Sequence, residues 1–490
     1  RCSRERSEAL IRQCVRANYN SIRVWGGGYF CDDYFYDLCD EYGLIVWQDL
    51  LFACGVYRLH EDFVENVVQE TIDNVKRLRH HASIALWCGN NELEWGWSGW
   101  DMGFGNRVQD KADYIKLFEW ILPQTVKKID PDRFYWLASP SSGGSFDDPN
   151  DQNRGDVHYW EVWHRLKHFT EYRKYYFRFC SEFGFQSFPS EKTINTFATE
   201  SDKNIFSPVM ENHQKNGGAN GLILYYLSAN FKYPSDFGTL LYVSQILQAE
   251  AIRYGVEHWR SNRGRCMGAL YWQVNDCWPV ASWSSRDYYG RWKAQHYFTV
   301  KSFADLLLSP IEKENTLQIY MVSDRLKSTS GKLTVCVLRL DGNGVVKEFK
   351  KQITVPANTS TVIWKEAVDG LLNGEKKEDV VVHVLYEDKT GKKYTNNYFL
   401  AKQKDMRYAA ARINKDFVPT EGGYEVTLSC DVFARGVFLS LQGNIDNFIS
   451  DNYMDILPGE TVTVKVTTEL PSLQFAERLQ VVSFSDAVEQ

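Results

Sequence analysis

Seven short apolar runs, several of them separated by segments of helical period, constrain this chain more than any other feature of its sequence. They fall at 21–27 (SIRVWGG), 44–52 (LIVWQDLLF), 83–91 (SIALWCGNN), 133–139 (RFYWLAS), 156–160 (DVHYW), 178–185 (RFCSEFGF) and 268–276 (GALYWQVND). Residues 4–17, 32–42, 63–79 and 240–259 place apolar side chains near helical spacing, and 292–308 reads as a closing helix. Apolar strands alternating with helices favour a parallel sheet built from βα units. Seven such strands behind a leading helix are one short of a (β/α)8 barrel. The expected barrel therefore lacks its first strand, as if the N-terminus had been cut away. Runs 21–27 and 268–276 would then stand about 9 to 10 Å apart, two inter-strand spacings. Each would present a row of unpaired backbone groups, and the chain alone is expected to be poorly soluble or inactive.

The pattern changes near Pro310. Fifteen of the 16 Trp lie at or before Trp292, and only Trp364 follows. Beyond that point short runs alternate polar and apolar residues between Gly, Asn and Asp, in one set over 316–400 and another over 405–490. Each set has about the 100 residues of a β-sandwich. The expected division is a barrel at 1–310 and two immunoglobulin-like sandwiches at 311–403 and 404–490, a multidomain fold class.

Composition excludes several functions. Lys+Arg 56 against Asp+Glu 63 gives a net charge of −7, with no basic stripe to neutralise phosphates, so nucleic acid is not an expected partner. No apolar run approaches the roughly 20 residues that cross a bilayer, and the opening RCSRERSEAL is polar, so neither membrane anchor nor signal peptide is expected. The eleven Cys are scattered without a CxxC pair. Free thiols and a reducing, cytoplasmic location are the reading. The ten His are dispersed, and no metal site is expected.

In a barrel enzyme the chemistry sits where strands end in polar residues. Three ends qualify: LWCGNNE, terminating in Asn90, Asn91 and Glu92; FRFCSEFGF, where Glu182 interrupts an aromatic stretch; and LYWQVNDCW, with Trp272, Asn275 and Asp276. A lone Glu at a strand end is usually a helix cap or a solvent-facing residue. Two strand-borne glutamates facing one cleft are instead the equipment for cleaving a glycosidic bond. Trp95, Trp97 and Trp100 in EWGWSGW are either core or sugar-stacking surfaces, and His158 is either a satisfied barrel histidine or a site donor. Arg23, near a strand end, needs an anionic partner, which a nucleophilic carboxylate would supply.

At these residues the chain resembles the β-mannosidases of glycoside hydrolase family 2. The resemblance rests on IRVWGGGYF (22–30), DYFYDLCDEYGLIVWQDLLFACG (33–55), RHHASIALWCGNNE (79–92), GDVHYWEVWH (155–164), FCSEFGFQSFPS (179–190) and GALYWQVNDCWPVASWSS (268–285). It implies a retaining exo-glycosidase that removes terminal β-linked mannose without metal or organic cofactor. By the same resemblance Glu92 is the general acid/base and Glu182 the nucleophile. Arg23 neighbours the nucleophile, Asn91 binds the sugar 2-hydroxyl, His158 and Tyr159 form a polar pair near the nucleophile, and Trp272 lies under the cleaved sugar. Trp25 and Trp47 are expected to line the same pocket. The implied partner is a β-mannoside oligosaccharide or glycan, and the oligomeric state is left open. Two readings compete: another exo-acting member of that family (β-galactosidase, β-glucuronidase or exo-β-glucosaminidase), and a non-catalytic carbohydrate-binding remnant.

Overall fold

The computed structural model describes residues 3–100 and 107–488. They divide into two compact units. The first is Arg1–Lys167 with Glu171–Phe183 and Asn262–Trp272; the second is His168–Thr170 with Gly184–Ser261 and Gln273–Gln490.

The first unit is built from strand–helix repeats. Helix α1 (Arg4–Arg16) starts where the Ser3 side chain accepts from the Arg6 amide, and it buries Ile11 and Cys14. Helix α2 (Asp33–Tyr42) is capped by Asp32 and stops at Gly43, whose φ of 69° is a left-handed C-cap. Helix α3 (Glu61–Leu78) carries Glu61 and Asp62 in its first turn, Lys76 and Arg77 in its last, and buries Val67, Thr71, Val75 and Leu78, one stripe at helical spacing. Strands β1 (Ser21–Val24), β2 (Ile45–Asp49), β3 (Ile84–Cys88) and β4 (Phe134–Trp136) form a parallel sheet in chain order. Strands β5 (Val157–Tyr159) and β6 (Cys180–Phe183) pair in parallel, and Cys180 bridges onward to Ala269. Parallel pairing in chain order brings the C-terminal ends of these strands to one side, where a barrel keeps its site.

Two sequence expectations need correction. The run 268–276 is not a regular strand: Leu270 N donates to Cys180 O and Trp272 N to Phe183 O. Two residues there span three on β6, which breaks the ladder. The same extra residue shows on the other side of β6, where Val157 pairs with Cys180 but His158 pairs with Glu182. Strand β6 therefore carries a bulge at Ser181–Glu182, a feature that re-aims side chains beside active sites. The closing helix is also shorter than expected. It ends at Ser302 (Ala294–Ser302), and Leu306 already begins strand β7 (Leu306–Lys313), which runs through Pro310 at the end of its sheet, where a missing amide is tolerated. As for barrel closure, β1 is an end strand of its sheet, and among the described residues no strand pairing joins it to the 268–272 segment. Side chains do meet there: Tyr19 hydrogen-bonds Tyr271 through their hydroxyls, and Trp25 packs edge-to-face on Trp272 at 5.1 Å.

In the second unit, the helix Phe237–Ser261 is buried on nearly every side, which its apolar sequence permits. Two antiparallel sandwiches follow. In the first, β8 (Thr316–Ser323), β9 (Thr329–Arg339), β10 (Val345–Val355), β11 (Thr359–Ala367), β12 (Val380–Asp388) and β13 (Lys393–Tyr398) join β7 in sheets ordered β10-β9-β12-β13 and β11-β8-β7. Alternate residues Leu317, Ile319 and Met321 of β8 and Leu333, Val335 and Val337 of β9 point into one core. The second sandwich spans Asn414–Thr420 to Leu479–Val482 and encloses Val426, Leu428, Val437, Leu439 and Phe475. No helix among the described residues is long and apolar enough to cross a membrane.

Candidate active site

Residues from the strand ends of the first unit meet around one buried arginine. Arg23 on β1 donates through Nη1 to Glu182 Oε1 at 2.7 Å, and through Nη2 to Asp49 Oδ2 and Asn91 Oδ1, both at 2.8 Å. Asp49, at the end of β2, also accepts from Trp47 Nε1 (2.8 Å) and the Gly26 amide (3.0 Å). Burial disfavours the Arg23 charge, but Asp49 and Glu182 more than offset it, so the guanidinium holds its proton more tightly than usual. The run of glycines after Trp25 has a steric cause. A Cβ on Gly26 would stand 2.7 Å from the Leu50 and Phe52 carbonyl oxygens, and one on Gly27 would overlap the Trp25 ring.

Glu92 is fixed by its backbone. Asn91 is bridged to Ala53 on one side and Ser139 on the other, and the Glu92 amide donates to Ser139 O at 2.8 Å. Its φ of 66° is left-handed, a conformation costing on the order of 1 kcal/mol or more for a non-glycine residue and concentrated at functional sites. Glu92 precedes the short helix α4 (Leu93–Gly99) but does not cap it through its side chain; Asn90 Oδ1 accepts from the Leu93 amide instead. The carboxyl turns to His158, whose Nδ1 lies 2.7 Å from Glu92 Oε1 and 3.4 Å from Glu182 Oε2. Trp160 Nε1 donates to Glu182 Oε2 at 3.3 Å, and Cys54 Sγ to Glu92 Oε2 at 3.5 Å.

Glu92, His158 and Glu182 offer an oxygen, a nitrogen and an oxygen all within 4.8 Å of one another. Such a trio has the donor atoms of a metal site, but Glu182 Oε1 is already engaged by Arg23, whose positive charge would lie against any cation placed there. The trio is better suited to handling a proton. Burial raises the Glu182 carboxyl above its ordinary value, and the nearby Glu92 charge adds to this against His158 and Arg23. Burial pushes Glu92 the same way, yet the hydrogen bond and charge of His158 outweigh it and leave Glu92 below its ordinary value. A raised Glu92 would be expected of a free-standing acid; the His158 ring 2.7 Å away reverses that direction.

Of the residues singled out in the sequence, Arg23, Asn91, Glu92, His158 and Glu182 are brought together. Trp25 and Trp272 form a half-buried aromatic pair. Trp47 is buried under Arg23 and beside Phe179, where it supports the arginine. Tyr159 is a correction. Successive strand residues face opposite ways, so Tyr159 packs among Tyr172, Tyr175 and Phe177, and Trp160 reaches the carboxylate instead. Trp97 is packing, against Tyr114 and Phe146, whereas Trp95 lies edge-on to His158 at 6.3 Å. Asp276 belongs to the second unit, where Ser282 and Ser284 donate to its carboxylate. Sequence reasoning passed over Asp49, Ser139, Asp156 and Trp160. It also missed the HxxxH spacing of His164 and His168, which falls in turns rather than on a helix; His168 bonds Asn230 and Thr170.

Known proteins with the same features decide the relationship. A family model described as a mannosidase Ig/CBM-like domain matches residues 315–405, and one described as an Ig-fold domain matches 408–487. A β-mannosidase of Capra hircus is 33% identical over 90% of this chain and 53% of its own length, and β-mannosidase B of Aspergillus niger is 32% identical over 95% and 58%. The crystal structure of a β-D-mannosidase from Dictyoglomus thermophilum superposes with a TM-score of 0.91 over all of this chain and 58% of its own, at 32% identity. The chain is a homologue of the β-mannosidases. It has their fold class, a barrel of the (β/α)8 type followed by two immunoglobulin-like sandwiches, and it spans a little over half the length of the relatives it matches. The exo-chitosanase CsxA of Amycolatopsis orientalis, at 14% identity and a TM-score of 0.71, shares the fold alone.

Proposed function

We propose that the protein is a retaining exo-glycosidase that hydrolyses terminal, non-reducing β-D-mannose residues of an oligosaccharide or glycan, with Glu182 as nucleophile and Glu92 as general acid/base. The carrying observation is that two buried carboxylates offer oxygens within 4.8 Å of each other, one of them bonded to Arg23. A separation near 5 to 5.5 Å suits direct attack by one carboxylate, whereas an inverting site leaves roughly 6.5 to 9.5 Å for a water. In the first step Glu182 forms a bond to the anomeric carbon while Glu92 gives its proton to the departing oxygen. In the second, Glu92 takes a proton from water, whose oxygen displaces Glu182. Arg23, held by Asp49, offsets the nucleophile's charge and fixes its angle. Asn91, whose Oδ1 accepts from Arg23 and whose Nδ2 gives one hydrogen to Cys54 Sγ, has its second Nδ2 hydrogen for a ring hydroxyl, and Trp25 and Trp272 offer aromatic faces to the sugar. The domain division at 1–310, 311–403 and 404–490 is part of the same reading.

The β-mannosidases among the relatives favour mannose over the galactose, glucuronate and glucosamine alternatives. A panel of nitrophenyl β-glycosides separates them: mannoside turnover at least about tenfold above the others is the expected result, and sugar binding without turnover of any member contradicts the proposal. Glu92→Ala is expected to retain activity on an activated aryl mannoside and to be accelerated by azide. Rescue of Glu182→Ala with Glu92→Ala inert would reverse the two roles.

A further inference from the structure

We infer that Asp156, acting through Ser139, sets the tautomer of His158 so that the Glu92–His158 pair keeps the proton used in catalysis. The inference rests on the acid/base role proposed for Glu92. Behind His158 runs a buried chain of hydrogen bonds: His158 Nε2 lies 2.9 Å from Ser139 Oγ, and Ser139 Oγ lies 2.6 Å from Asp156 Oδ2. Asp156 is 3% exposed and is surrounded by donors. Trp136 Nε1 (2.8 Å) and the Ser141 amide (3.1 Å) donate to Oδ1, and Ser181 Oγ donates to Oδ2. A hydroxyl 2.6 Å from a carboxylate oxygen gives its proton there, because the charge-assisted bond is the stronger of its choices. Ser139 has one hydrogen and has then spent it, so toward His158 it can only accept. His158 must carry its proton on Nε2, leaving Nδ1 to face Glu92.

The consequence is electrostatic. With Nε2–H fixed, loss of the remaining proton would set the Nδ1 lone pair against an ionised Glu92 oxygen at 2.7 Å. The pair therefore resists giving that proton to solvent, and holds it as one unit between Nδ1 and Oε1. In the first chemical step the proton leaves Glu92 for the glycosidic oxygen; in the second it returns from water, and His158 ends as it began. The charged and titratable groups facing the pair are Glu182 and, through it, Arg23 and Asp49; Cys54 at Glu92; His164, which senses the Glu92 charge; and Asp156 behind Ser139. Ser139 and Asp156 are positioning residues, since neither side chain bonds the Glu92 or Glu182 carboxyl: the Ser139 and Asp156 side chains bond each other, and Ser139 Oγ bonds His158. If Ser139 cannot accept, His158 is free to move its proton to Nδ1 and donate to an ionised Glu92, a combination with one proton fewer.

The test is the pH profile of kcat/KM for Ser139→Ala, Ser139→Thr and Asp156→Asn in the folded protein, each with a poor and a good leaving group. Ser139→Ala is expected to move the alkaline limb down by about one pH unit and to cost about tenfold or more on the poor leaving group, but less than about threefold on dinitrophenyl mannoside. Ser139→Thr keeps the hydroxyl and should restore the limb. Nitrogen NMR of His158 should report Nε2–H in the parent and Nδ1–H in Ser139→Ala. Should Ser139→Ala not fold, Asp156→Asn and the parent tautomer carry the same test. An unmoved limb with equal losses on both leaving groups, or a parent ring with Nδ1–H and a bare Nε2, overturns the inference. Failure of the acid/base reading itself is separate: Glu92→Gln would then lose equally on both leaving groups.

Discussion

Strand β6 of the first unit and strand β8 of the first sandwich are both buried, yet they use burial for opposite ends. Along β8, Leu317, Ile319 and Met321 pack into an apolar core and alternate with the half-buried Thr316, Gln318 and Tyr320. Along β6 every residue is buried, two of the four are Ser181 and Glu182, and a bulge breaks the alternation. A buried Leu lowers the free energy of the fold by about 1.5 to 3 kcal/mol. A buried carboxylate costs stability unless cations and donors surround it. Arg23, His158 and Trp160 provide that surround at Glu182. One strand stabilises the molecule, and the other holds a carboxyl that stability alone would discard.

The contrast breaks first at Glu182. Replacement by Gln should reduce turnover by roughly 10^4-fold or more even on activated mannosides, while the thermal midpoint stays level or rises because the carboxyl whose ionisation burial opposes is gone. A fall of several degrees would mean that Glu182 is structural. Next is Arg23→Met, which leaves Asp49 and Glu182 buried without their cation. It is expected to cost about 3 to 5 kcal/mol in denaturant unfolding together with activity. Loss of activity alone would show that the arginine is not needed to keep the two carboxylates buried.

On the other side, Leu317→Ala should cost about 2 to 5 kcal/mol and leave kcat/KM of the folded fraction unchanged. A changed kcat/KM would refute the division of labour. The smallest effect is at Glu94, whose carboxyl is pushed up to about 7, chiefly by burial, against a partner set of Ser141 and the Phe146 amide. The folded state favours the protonated form. The contribution is therefore fully present below about 4.5, the ordinary value, and is lost as pH rises through about 7. Glu94→Gln should flatten stability between those limits, and an unchanged slope would contradict the assignment.

What could be read from the sequence follows the same division. Glu182 and Glu92 stood out because a carboxylate inside or ending an apolar run has no cheap structural explanation. Asp49 carries the same signal in LIVWQDLLF, and it bonds Arg23 in the folded chain. Asp156 opens DVHYW and reads as a turn residue; only folding shows it buried behind His158. Strand alternation in DVHYW already sets His158 and Tyr159 on opposite faces, whereas the bulge in β6 leaves no trace in composition and the reach of Trp160 to Glu182 was not legible. The closing helix overran because ADLLL continues an apolar pattern at helical spacing, and strand pairing with β8 overrides it at Leu306.

The central claim is that Glu182 bonds to the sugar. A 2-fluoro-mannosyl fluoride, whose glycosyl-enzyme turns over slowly, allows that bond to be located by peptide mass spectrometry. The account predicts one added sugar per chain on the peptide containing FCSEFGF, at Glu182, and none in Glu182→Gln. A label on the peptide containing CGNNE, at Glu92, or inactivation without any covalent adduct, would contradict it.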